Sequence, residues 1–130
     1  MAALLVLGLA GTGVELALIE HYEDWWQLVP LFLIAAALAA FTWFVAARTR
    51  PSLRTLQAVM LLCVAAGAAG SLLHFKGAAE FQKEINPSIS RPELVRKVMR
   101  AKAPPVLAPW LMTHLGLLGL VYAHRRSHSR

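Results

Sequence analysis

The sequence predicts an all-α integral membrane protein: four transmembrane helices in an antiparallel bundle, with an amphipathic interfacial helix in the third loop. Three observations carry this. Apolar residues make up 58% of the 130-residue chain and the mean hydropathy is +0.55, above the range of water-soluble domains. Charged residues are only 15% of the chain and, Glu15 apart, are missing from four long stretches. All seven acids lie toward one end of the expected bundle. A soluble helical bundle is the alternative, but it needs polar stripes inside those stretches, and they have none.

A helix needs about 20 apolar residues to cross roughly 30 Å of hydrocarbon. The segments that meet this are 2–20, 26–47, 55–75 and 106–123, with an outer connection at 76–105. Backbone groups left unpaired in lipid cost several kcal/mol each, so the spans are expected as helices. The first apolar run lacks a basic leader and a small-residue cleavage signature, and is read as a retained helix. Between the second and third spans lies only Arg48-Thr-Arg-Pro-Ser-Leu-Arg54, a tight turn with Pro51 suited to a helix start. The first turn, from Glu20 to Trp25, is equally short.

The long connection has its own pattern. No helix breaker occurs after Gly77 until Asn86-Pro87, so the third helix is expected to run about two turns beyond the membrane, with Glu80 and Glu84 on one face. A second helix is expected from about Glu93 to Lys102, with Leu94, Val95, Val98 and Met99 opposite Arg91, Arg96, Lys97 and Arg100. Such a segment suits an interface rich in anionic phospholipid. Pro104, Pro105 and Pro109 then interrupt the chain, and the fourth helix is expected to begin at Pro105 or at Pro109.

Arg48, Arg50, Arg54, Arg125, Arg126 and Arg130 flank the spans at one end with no acid among them, which predicts cytoplasmic termini in a bacterial inner membrane. The raw Lys/Arg counts of the two sides are nearly tied, so density next to the spans decides the orientation. Trp25, Trp26 and Trp110 form an expected outer belt, and Trp43, Phe44 and Tyr122 an inner one. The charge of +6 is explained by head groups and orientation rather than nucleic acid, and the lone Cys63 excludes an internal disulfide.

Two helix faces carry small residues at helical spacing: Cys63, Gly67, Gly70 and His74 on the third span, and Gly8, Gly11, Thr12 and Glu15 on the first. Each leads to an ionisable group near the outer end. Glu15 lies roughly 8 Å below the outer end of its helix, where a carboxylate must be neutral, paired or facing water. His114 matches its expected depth and is the natural partner, although it lies off the helix face formed by Met112, Gly116, Gly119 and Ala123. His74, His21 and Glu80 complete an expected metal-ligating or proton-binding set, with Glu20, Glu23, Asp24 and Glu84 nearby.

Carboxylate with imidazole suits a divalent transition metal such as zinc, manganese or iron, while haem held by His74 and His114 is the weaker reading. No HExxH or Glu-x-x-His pair, glycine-rich phosphate loop or G-x-S-x-G elbow occurs, and Ser71, Ser88 and Ser90 have no evident Asp-His relay. The function readings are therefore binding or movement of a divalent cation or proton; a non-catalytic accessory or assembly subunit of a larger membrane complex; and a haem-binding or membrane-enzyme subunit. Four spans enclose little volume, so transport would require a homodimer.

Overall fold

Each expected span contains a helix among the described residues, and the loops between the first three are as short as their turn residues require. The computed structural model describes residues 1–20, 22–101 and 107–128. Its helices are α1 (Ala2–Leu18), α2 (Trp25–Ala47), α3 (Arg50–Ile85), α4 (Arg91–Met99) and α5 (Leu107–His128), with no strand among the described residues. Two of them, α2 and α3, are long and apolar enough to cross a membrane, and α1 is apolar but shorter. At 1.5 Å per residue its 17 residues span about 25 Å.

Local chemistry sets the ends. Ahead of α2, Gln27 Oε1 accepts from the N–H groups of Glu23 (2.9 Å) and Asp24 (3.3 Å), satisfying donors that a helix start leaves open. Only Arg48 and Thr49 separate α2 from α3. Arg48 reverses the chain in a left-handed conformation (φ 51°, ψ 35°). Thr49 then caps α3: its hydroxyl accepts from Ser52 N–H (3.3 Å), while its own N–H donates to Ser52 Oγ (3.1 Å). Pro51 sits in the first turn, where its missing N–H costs nothing.

Helix α3 continues unbroken through the third expected span and ends at Asn86, ahead of Pro87. Its 36 residues extend for about 54 Å, well beyond a hydrocarbon layer of about 30 Å. The second helix of the long connection occupies Arg91–Met99, starting and stopping earlier than the expected Glu93–Lys102; Pro92 sits in its first turn, where its missing N–H costs nothing. Lys102 lies outside the described residues, as do Pro104 and Pro105; α5 is helical from Leu107, with Pro109 in its first turn. Helix α4 does not stand alone. Leu94 and Val98, one turn apart, pack with Ala79, Ala78 and Phe75 of the α3 extension, so the chain folds back on itself after Ile85.

The main core lies among narrow stripes. Leu5 and Leu9 of α1, Ile34, Ala37 and Phe41 of α2, Leu56, Met60 and Cys63 of α3, and Met112 and Leu115 of α5 form one buried cluster. Contacts run α1 to α2, α2 to α3, α3 to α5 and α5 back to α1. Between α3 and α5 the backbones themselves meet. A Cβ on Gly116 would stand 2.7 Å from Met60 O and 2.9 Å from Val64 N, and one on Gly67 would stand 2.6 Å from Thr113 N. Only 28% of the most apolar window of α2, and 28% of that of α3, is buried. The core helix of a soluble domain would be mostly buried; here Leu7, Leu18, Phe32 and Leu72 point outward instead.

Candidate functional site

A groove of about 1050 Å³ opens on the helical core, between α1, α2, α3 and the start of α5. Four elements build it. Helix α1 contributes Thr12 and Glu15, α2 contributes Trp26 and Gln27, α3 contributes Gly70 and His74, and α5 contributes Pro109 and Met112. Its size is at the upper end for sites that take a small ligand. Most of the remaining lining is aliphatic, including Leu16, Ile19, Val29 and Leu73.

Helix geometry explains why Glu15 reaches this groove. Leu5, Leu9 and Thr12 form the buried stripe of α1, and Glu15 lies one turn beyond Thr12 at the edge of that stripe, exposed. Thr12 satisfies its own hydroxyl by donating to Gly8 O at 2.8 Å. On α3, Cys63, Gly67 and Ser71 turn inward, and Ser71 donates to Gly67 O at 2.9 Å. His74 follows at the open end of that face, exposed and within the groove lining. The structure therefore brings Glu15 and His74 to one cavity.

It does not bring His114 there. Met112, Thr113, Leu115 and Gly116 of α5 are buried, and His114 points to the outside. Its Nδ1–H donates to Trp110 O (2.9 Å), because a carbonyl only accepts, and its ring stands edge-on to Trp110 with centroids 5.7 Å apart. The neutral ring then carries its lone pair on Nε2. Glu80 is exposed and pairs with Lys76 at 3.8 Å, one turn away, a surface pair worth little. His21 lies outside the described residues. Among the described residues, no three His, Cys, Asp or Glu side chains gather in a group able to hold a metal ion. The haem reading required His74 and His114 together, and only His74 lines the groove.

The acidic turn beside the groove is arranged by the backbone. Glu20 adopts positive φ (54°), which ends α1, while Glu23 and Asp24 precede the first turn of α2, where the helix dipole favours negative charge. Trp25 and Trp26 stack with centroids 3.5 Å apart, both exposed, and Trp26 forms part of the groove wall. Gln27 and Thr12 were not foreseen as groove residues. The available signal was that each is a polar side chain in an apolar stretch. Compared with protein-family models, with curated proteins and with solved structures, the chain matches none.

Proposed function

We propose that the chain crosses a membrane four times, through α1, α2, α3 and α5, and that Glu15 binds a proton or a cation in the groove it shares with His74. The observation that carries this is the position of Glu15: an exposed carboxylate on an apolar helix, opening into a largely aliphatic cavity. In hydrocarbon a lone carboxylate is costly, so a positively charged occupant of the groove is held beside it. Two protein ligands fall short of a closed structural metal site, which needs four. A proton satisfies Glu15 outright; a divalent transition metal bound by Glu15 and His74 would complete its shell with water. Movement of the cation, beyond binding, requires a second copy to close the open side.

The test of the site is infrared difference spectroscopy of the purified protein in lipid, recorded as a function of pH. The wild type is expected to show a protonated carboxyl band that Glu15→Gln lacks, with helix content unchanged. Identical difference spectra for the two proteins would remove Glu15 as the binding group. Elemental analysis of the same samples separates metal from proton: metal present in the wild type and absent from Glu15→Gln favours the metal.

In the proposed topology both termini and the Arg48–Thr49 turn are cytoplasmic in a bacterial inner membrane, and the tip between α3 and α4 lies outside. With Cys63 replaced by alanine, Ser88→Cys is expected to react with an impermeant thiol reagent added to intact cells. Thr49→Cys should react only after the membrane is opened. Equal reaction of the two before opening would overturn the topology.

A second reading is an accessory subunit whose partner helix occupies the groove. Gly77 favours it: this residue lines the groove, and a Cβ there would meet nothing within 4 Å, leaving room for a helix to approach closely. Copurification of a stoichiometric membrane protein in mild detergent, lost on Gly77→Leu, is the result that would place this reading first.

A further inference from the structure

The groove that holds Glu15 is far larger than a proton or a metal ion requires. A metal ion with six waters fills roughly 200 Å³, because each water takes about 30 Å³. The groove measures about 1050 Å³, a size that takes an organic molecule. Its walls suit such an occupant. Leu16, Val29, Leu73 and Leu111 supply aliphatic surface from α1, α2, α3 and α5, and Trp26 adds an aromatic face where α2 begins. Trp25 backs the Trp26 ring, with centroids 3.5 Å apart, yet Trp26 is 64% exposed, so one side of its ring is open to a ligand.

Charge selects among organic molecules. Among the described residues Glu15 is the carboxylate that lines the groove, and no Lys or Arg lines it. The sequence places no Lys or Arg ahead of Arg48, while Glu15, Glu20, Glu23 and Asp24 all lie in that stretch. Lys76, the next basic residue of α3 after Arg54, pairs with Glu80 at 3.8 Å and does not line the groove. The α1 and α2 side of the groove is therefore negative and draws cations toward it. Apolar walls alone select nothing in a membrane, where lipid tails are as apolar as leucine. Preference comes from the carboxylate and from the aromatic face, and both favour a positive centre.

We propose that the groove binds a hydrophobic organic cation, with its positive centre at Glu15, one arm against Trp26 and the remainder along the aliphatic wall. This rests on Glu15 being the binding group of the groove, and names the class of cation that it takes. A small inorganic cation leaves most of the groove unfilled, and a neutral hydrophobe leaves the carboxylate without a counter-charge.

Equilibrium dialysis of the full chain in neutral detergent, read as binding in excess of detergent alone, tests this with three probes. Tetraphenylphosphonium has both charge and bulk, tetramethylammonium keeps the charge without the bulk, and tetraphenylborate keeps the bulk with the charge reversed. Tetraphenylphosphonium is expected to bind saturably, about tenfold or more tightly than either of the others. Glu15→Gln should weaken it by about tenfold or more, and Trp26→Ala by about fivefold, with helicity unchanged because both side chains are exposed. Trp43→Ala, which removes an exposed tryptophan of α2 outside the groove, should leave binding within about twofold. Tetramethylammonium bound as tightly as tetraphenylphosphonium, or no saturable binding of the latter, would overturn the organic occupant; a Glu15 carboxyl band in the infrared spectrum would then leave the site to a proton or an inorganic cation. Equal binding of tetraphenylphosphonium and tetraphenylborate would show a groove indifferent to charge and overturn the cation. Unchanged tetraphenylphosphonium binding in Glu15→Gln would overturn the inference, and identical infrared difference spectra of the same two proteins would remove the underlying reading as well.

Discussion

Gly116→Ala is expected to destabilise the helical core by about 2 kcal/mol, although alanine is the better helix former. Two effects oppose one another. Alanine gains about 1 kcal/mol of helix propensity over glycine. Against this, its Cβ would lie 2.7 Å from Met60 O and 2.9 Å from Val64 N, both backbone atoms of α3 that cannot rotate aside. Helix α5 must move away from α3 as a whole, loosening the contacts of Met60 and Leu115, and overpacking of this kind costs about 3 kcal/mol at the upper end of its usual range. Cys63 provides the measurement, because this lone thiol is buried in the cluster that α3 and α5 share. In mild detergent its labelling should be roughly 25-fold faster in the variant, the factor that 2 kcal/mol implies when labelling follows opening. Gly11→Ala is the control: a Cβ there meets nothing within 4 Å, and labelling should be no faster than in the wild type. Unchanged labelling in Gly116→Ala would show that the two backbones are not in contact.

Val98→Asp is expected to release α4 from α3 while leaving the main core intact. Val98 is 2% exposed and packs with Leu94 against Ala79, in a cluster separate from the one that holds Met60 and Leu115. An unpaired carboxylate buried there costs several kcal/mol, more than the roughly 1.5–3 kcal/mol that burial of one aliphatic side chain supplies. Once undocked, a nine-residue helix is too short to persist in water. Trypsin reads this directly, since Arg96, Lys97 and Arg100 lie along the segment. Cleavage there should be at least about tenfold faster in Val98→Asp than in the wild type, with Cys63 labelling unchanged. Val95→Asp changes an exposed residue of the same helix and should leave cleavage at the wild-type rate. Equal cleavage of all three proteins would show that α4 is not docked.

Periodicity and punctuation were enough to read the helices and the packed face of α5, but not that of α1, where the expected face of Gly8, Gly11, Thr12 and Glu15 gives way to a buried stripe of Leu5, Leu9 and Thr12, with Gly11 and Glu15 exposed. The Asn86-Pro87 break ends α3, Pro51 begins it, and the spacing of Met112, Gly116, Gly119 and Ala123 marks the packed face of α5, all of which concern neighbours along one chain segment. The same spacing already showed His114 off that face. Depth alone made His114 seem the partner of Glu15, but rotation about the helix axis is a tertiary property. Close packing of Gly116 against Met60 and Val64 sets that rotation and turns His114 outward, while His74, at the open end of the Cys63–Gly67 face, reaches the groove with Glu15. The fold also decided that α4 would pack against α3 rather than stand alone. A sequence pattern specifies which face of a helix is apolar and roughly how deep each residue sits. Which neighbour that face meets depends on the fit of side-chain volumes between helices, and that fit exists only once they are packed.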